Sequence, residues 1–315
     1  ERRRPAPYSY PVTTPRSARR LVLPALMAIA LVAGCGGDDG GGDAVEARDP
    51  LRNGPQGNVA QFVVECELSH FAYDDPIVFP DLPGESHLHQ FFGNVDVTSD
   101  PDYSKVIDGE TSCERSSDTA SYWAPALLDE TGDAIEPSKL TAYYRPGPGI
   151  DPTTVEPYPA GLMMVAGDAG SDEEQPLEVI AWGCGSNFVR EPSPPDCRNE
   201  LARQSVSGTE TPSSRSLRLW ITFPDCWDGN RLTSYGSGAH VRYSEGGACP
   251  DSHPVAIAQL QMAIDFPAAN PEGLSLASGE TRTAHADFWN VWDQQKLEDE
   301  VRFCINRDLV CGVAE

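Results

Sequence analysis

Lysine is almost missing from this chain: Lys105, Lys139 and Lys296 are the only three in 315 residues. A Schiff-base mechanism therefore has few candidate amines. Histidine is scarce as well, with six residues. Several common chemistries lack their signatures. There is no Gly-x-Ser-x-Gly elbow, no Gly-x-x-x-x-Gly-Lys-Ser/Thr phosphate loop and no Gly-x-Gly-x-x-Gly following a strand. His-Glu-x-x-His is absent too. No two cysteines stand at Cys-x-x-Cys spacing, which argues against a zinc knuckle or a thioredoxin-like redox motif. Long apolar runs are missing apart from Leu21 to Val32, itself broken by Pro24. That run is well short of the roughly 20 residues a membrane-spanning helix needs.

Positive charge is the other shortage. Lysine and arginine number 23 against 48 acidic residues, a net charge of −25. Arg16, Arg19 and Arg20 precede the Leu21–Val32 run, and Val32-Ala33-Gly34-Cys35 follows it. A basic segment, a short apolar core and small residues describe a signal peptide. Cys35 at the cleavage point resembles a bacterial lipobox, whose cysteine becomes the lipidated N-terminus. Residues 1–34 are thus read as a signal peptide behind an overlong N-terminal start. Residues 35–57 form a lipidated cysteine and a tether, because Gly36 to Asp43 is a glycine/aspartate run too poor in apolar surface to fold. Without residues 1–34 the chain keeps 17 basic and 47 acidic side chains, a net −30. Such a field repels nucleic acid, so no nucleic-acid partner is expected. The expected location is extracytoplasmic, with the protein held on the cell membrane through its N-terminal lipid.

Beyond Cys35 eight cysteines remain, an even number that reads as a disulfide framework in an exported chain. Neighbour pairings, Cys184 with Cys197 and Cys304 with Cys311, are favoured. Residues 58–315 read as a single domain. Strand-like runs recur along it: Gln61–Cys66, Ser121–Pro125, Leu140–Tyr144, Leu162–Val165, Leu177–Trp182, Leu217–Phe223, Ala239–Tyr243 and Ala256–Ile264. With 28 glycines and 28 prolines between them, long helices have little room. The pattern predicts a mainly β fold, an antiparallel β-sandwich or jelly roll with long loops and disulfides. One C-terminal helix is expected after Asp293, which caps a segment with Leu297, Val301 and Cys304 on one face.

The most informative stretch is Ser86-His87-Leu88-His89. On a strand, residues two apart share a face, so both imidazoles would converge on one point. His285-Ala286-Asp287 repeats that spacing with a carboxylate. Phe223-Pro224-Asp225-Cys226-Trp227-Asp228-Gly229, Ala239-His240-Val241 and Cys249-Pro250-Asp251-Ser252-His253-Pro254-Val255 complete the candidates. His87, His89, His240 and His285 offer the nitrogen ligands that divalent transition metals such as zinc or copper accept. Three histidines with an open position are what hydrolytic metal sites use to activate water. A His/Asp pair, here His285 with Asp287, would instead serve general acid–base cleavage of a sugar linkage. Asp225 and Asp228 are candidates for the two carboxyls of a glycosidase, though aspartates in such loops also serve as turn residues. Trp227 is the candidate sugar-stacking ring. His253 and His70 read as structural.

Taken in order, these motifs resemble the secreted family of unknown function numbered nineteen ninety-six. The resemblance runs from about Phe62 to Cys304. Val291-Trp292-Asp293 and Ala239-His240-Val241 stand where that family often has Gly-Trp-Asp and Ser-His-Met, so His240 and Asp293 are kept. The family occurs in fungi, often beside carbohydrate-binding WSC modules, and in bacteria. It implies a polysaccharide context and no particular reaction. Two functions are therefore expected as alternatives: an exported enzyme cleaving polysaccharide through a histidine/aspartate site, or a non-catalytic glycan-binding or structural envelope lipoprotein.

Overall fold

The computed structural model describes residues 59–185, 189–198 and 216–312. The expected signal segment, Cys35 and the expected tether lie outside the described residues. Fifteen strands follow one another, most of them five to eight residues long. They are β1 (Phe62–Cys66), β2 (Leu68–Ala72), β3 (His89–Gly93), β4 (Ser121–Pro125), β5 (Leu127–Leu128), β6 (Lys139–Arg145), β7 (Met163–Gly167) and β8 (Ile180–Cys184). Then come β9 (Leu217–Thr222), β10 (Cys226–Trp227), β11 (Val241–Arg242), β12 (Val255–Ala256), β13 (Gln259–Phe266), β14 (Ser275–Leu276) and β15 (His285–Trp289). Two five-stranded antiparallel sheets, ordered β1-β6-β13-β9-β8 and β2-β3-β4-β15-β7, form the body of the sandwich. The fold is mainly β with one C-terminal helix and four disulfides, as the sequence predicts.

Alternation along the strands builds the core. From one sheet Phe62, Val64, Tyr144, Leu260, Met262 and Leu219 point inward. From the other, Phe92, Tyr122, Met164, Ala286 and Phe288 meet them. Phe288 sits among the rings of Tyr122 and Tyr158, with centroids 5.4 and 5.3 Å away. Tyr144 stacks on Phe62 at 4.5 Å and joins a buried polar chain. Trp292 Nε1 donates to the Tyr144 hydroxyl at 3.1 Å, the Tyr144 and Tyr122 hydroxyls share a short hydrogen bond, and the Tyr122 hydroxyl donates to Asp118 at 2.6 Å. Every polar atom of that chain finds a partner, which keeps it compatible with full burial.

Helix α1 (Gln294–Glu300) begins where the sequence places it. Asp293 accepts from the backbone N–H groups of Gln295 and Lys296, satisfying two donors that a helix start leaves free. Leu297, Val301 and Cys304 are buried on one face. Four disulfides join Cys66–Cys113, Cys184–Cys197, Cys226–Cys249 and Cys304–Cys311, and both favoured neighbour pairs are among them. Next to the last one, Gln61 and Val310 form a parallel bridge. The Gln61 N–H donates to Leu309 O and the Cys311 N–H to Gln61 O.

Burial raises the Asp118 carboxyl to about 7, against about 3.9 in an unfolded chain. The folded state therefore holds a proton that the unfolded state releases. This group's contribution to stability is complete below the unfolded value and is lost as pH rises toward 7. Asp118→Asn removes that dependence. In urea titrations at several pH values, the native chain should lose about 1.4 kcal/mol per pH unit relative to the variant between roughly pH 4 and 7. Parallel curves for the two proteins would show instead that Asp118 folds as a carboxylate.

Candidate metal centre

Three elements deliver the histidines. His285 and Asp287 occupy alternate positions of β15, and Ala286 and Phe288 between and beyond them enter the core, so both polar side chains face outward from the sandwich. His89 opens β3 opposite Pro125 of β4, the strand that separates β3 from β15. His87 lies two residues earlier, outside the strand, after the Pro83-Gly84 turn. Gly84 adopts φ +79°, a conformation that side chains with a Cβ avoid. The two-apart spacing does bring both imidazoles together, although only His89 belongs to a strand.

The rings gather closely. Ring centroids stand 4.3 Å apart for His87 and His89, 4.9 Å for His87 and His285, and 5.9 Å for His89 and His285. One nitrogen from each lies within 4.8 Å of the others. The Nε2 atoms of His87 and His285 are 3.1 Å apart. Nitrogens on a tetrahedral zinc with Zn–N bonds of about 2.1 Å stand about 3.4 Å from one another, so this pair already has the required spacing.

Outer hydrogen bonds select the tautomers. His89 Nδ1 donates to Asp74 O at 3.0 Å and His285 Nδ1 donates to Thr283 O at 2.9 Å. Each ring thus carries its proton on Nδ1 and presents an Nε2 lone pair to the cluster, the arrangement carbonyl partners impose on metal-ligating histidines. The Nε2 of His89 is buried without a hydrogen-bond partner. Without a metal, His87 must then donate from its own Nε2 to that of His285. Its half-buried ring can move that proton to Nδ1 when a cation arrives.

Two carboxyls lie behind the rings. Asp75, in the loop after β2, and Asp287 form a second group with His89, again within 4.8 Å. Asp75 Oδ1 accepts from the N–H groups of Ile77 and Val78, both at 2.9 Å. Neither oxygen of Asp287 has a hydrogen-bond partner, and the residue is fully buried. A buried polar atom left unpaired costs about 1–3 kcal/mol, so this pair of oxygens calls for a ligand or a proton. Burial holds the Asp287 carboxyl well above the usual carboxylate range, with Asp75 adding to the effect, and lifts Asp75 itself to about 6. Burial also pushes the histidines down: His285 to about 4, His89 well below its ordinary value, and His87 in the same direction. All three imidazoles are therefore neutral at neutral pH, the form that binds metal.

The remaining candidates are placed elsewhere. His240 does not join the cluster: its Nε2 donates to Met163 O at 2.7 Å, and its Nδ1 pairs with the Ser234 hydroxyl at 2.8 Å. With both nitrogens engaged it is a packing residue, which corrects its place in the expected ligand set. Asp225 is fully buried and accepts from the Ser244 N–H at 2.7 Å. A Cβ on Gly147 would sit 1.6 Å from its Oδ2, so that glycine is what leaves room for the carboxyl. Asp228 accepts from the N–H groups of Asn230 and Arg231 and pairs with the Arg231 guanidinium at 2.6 Å. Asp228 is thus a turn-building residue, whereas Asp225 braces the segment at Ser244 and keeps a buried Oδ2 without a hydrogen-bond partner. Trp227 is partly buried and gives its indole N–H to Arg231 O. His253 bonds Ala239 O and the Ser252 hydroxyl, and His70 stacks on Phe91 at 4.7 Å, both structural as expected.

Asp75 is the residue that sequence reasoning missed. Its only signal is an aspartate pair before Pro76, which reads as a turn and carries no hint of a histidine 14 residues later.

The model of a domain of unknown function, DUF1996, matches residues 75–292. That span holds every residue of the cluster. Comparison with curated proteins and with solved structures gave no match.

The burial of His285 has a direct readout. In the metal-free protein, its ring-carbon NMR shifts should titrate with a midpoint near 4 and stay those of a neutral imidazole at pH 5.5. A midpoint near 6.5 would mean that the ring is solvated and the cluster open.

Proposed function

This chain is a member of the DUF1996 family, and we propose that it is an exported, lipid-anchored surface protein whose His87–His89–His285 centre holds a divalent transition metal, zinc or copper, and serves the cleavage of polysaccharide. One observation carries the metal reading. The carbonyl-oriented imidazole of His89 keeps an unpartnered Nε2 lone pair beside the paired Nε2 atoms of His87 and His285, over a carboxyl with no partner. A purely structural cluster would have given those groups hydrogen bonds. Export is supported by the signal-like N-terminal segment and by four disulfides, which persist in oxidising compartments.

A bound metal would supply Lewis acidity at this point. The chain's own contribution is orientation and proton handling. Thr283 O and Asp74 O hold two ligand rings in register, and His87 leaves the cluster open on its half-buried side. Asp287, whose carboxyl burial raises well above the usual range, offers a proton-binding group beside His89. The polysaccharide substrate rests on the family's carbohydrate context. Glycan binding without cleavage has weaker support, because Trp227, the candidate stacking ring, is partly buried against the core.

Metal analysis of protein purified without a histidine tag tests the centre. One zinc or copper per chain is expected, and removing it with a chelator should lower Tm by several degrees. His87→Ala and His89→Ala should each weaken zinc binding by more than the roughly 10–100-fold that loss of an outer partner costs. A chain that takes up no metal after reconstitution would sink this reading. Mass spectrometry of polysaccharide digests tests the reaction. Products should appear with the metal-loaded protein and vanish in both alanine variants.

A further inference from the structure

Opposite the histidines, the outer face of the β1-β6-β13-β9-β8 sheet gathers three of the chain's few basic residues on an aromatic floor. Tyr143 of β6 and Trp220 of β9 lie diagonally across Ala263 of β13, whose small side chain lets their rings stack at 5.9 Å and 28°. The Arg190 guanidinium lies over the Trp220 ring at 3.5 Å, with Arg218 over the same ring at 5.0 Å. Arg145 lies over Tyr143 at 4.5 Å. A bridge between Trp182 and Glu191 holds residue 190 beside β8.

Only one of the three has a carboxylate. Arg218 and Asp265, opposite one another on β9 and β13, make a bidentate pair with both bonds at 2.6 Å. Glu65, the other acid on this face, is taken by Lys139. Arg145 donates only to amide oxygens, of Gln61 at 3.1 Å and Gln261 at 3.2 Å, and its Nη2 is buried without a partner. Arg190 Nη1 and Trp220 Nε1 are likewise buried and unpaired. Arg145 is only 5% exposed. Two cations have thus been packed side by side in a strongly acidic protein, and among the described residues no carboxylate bonds to either. Burial presses both guanidiniums down to about 10, and the charges of Arg145 and Arg218 add to the effect on Arg190.

We propose that this face is an oxyanion-binding site, in which Arg190 Nη1 and Arg145 Nη2 clamp a sulfate, phosphate or carboxylate group, free or carried by an acidic sugar. Guanidinium forks match the oxygens of such groups, and charge-assisted bonds at about 2.7–2.9 Å would satisfy both orphaned donors. Arg190, less buried than Arg145, is the side of entry. The site is independent of the histidine centre, which lies on the other sheet.

Calorimetry and tryptophan fluorescence with sodium sulfate, inorganic phosphate and glucuronate, at ionic strength held constant with sodium chloride, test it. Saturable binding of one anion per chain is expected for at least one of the three. Saturation by glucuronate alone would assign an acidic sugar, and saturation by sulfate or phosphate a free oxyanion. Arg190→Gln should weaken binding at least about tenfold, and Arg190→Lys should recover part of it, since charge returns without the planar fork. His87→Ala should bind the anion as the native chain does. No saturation by any of the three, or equal binding by Arg190→Gln, would show that these arginines only pack on the rings.

Discussion

Strand alternation is the constraint on which the rest of this molecule depends. Each central strand has two faces, and in β15 the core claims Ala286 and Phe288, which forces His285 and Asp287 outward. A one-residue slip would bury the histidine among Tyr122, Tyr158 and Phe223 and expose Phe288. The polar side chains therefore keep their place because the aromatic ones cannot move. Outer faces of sandwiches usually meet water. Here the loop carrying Asp75 and Ile77 closes over one of them, and that cover turns surface histidines into a buried, neutral, mutually facing set.

Much of this was legible from residue order. Short β-branched and aromatic runs between glycine and proline breaks announced the sandwich, and Asp293 announced the start of α1. The pairs His87/His89 and His285/Asp287 were visible because two-residue spacing is a local property. What brought the two pairs together was not visible, since it depends on β4 lying between β3 and β15. His240 misled for the same reason. A histidine flanked by apolar residues looks alike whether it faces a cluster or the carbonyl of Met163. Asp225 and Asp228 resembled a catalytic pair, yet Asp225 is held by the Ser244 N–H and Asp228 by the N–H groups of its own loop and the Arg231 guanidinium.

Charge was the least transferable of the sequence-level quantities. A net −25 describes the average field around the chain, and it predicted that nucleic acid would be repelled. The average hides its own exception, because three arginines scattered over 73 positions arrive on one sheet face. The two outer faces of the sandwich thus differ in kind. One holds neutral imidazoles and buried carboxyls whose free atoms suit a cation, and the other holds guanidiniums whose free atoms suit an anion.

The Gln61–Val310 bridge brings the two ends of the β-domain to the same edge of one sheet. Any tension transmitted along the segment before Gln61 meets the C-terminal strip first, and the Cys304–Cys311 disulfide ties that strip back to the end of the helical segment. Load from that side thus meets two backbone hydrogen bonds and a covalent loop before it reaches the ladder between β1 and β6.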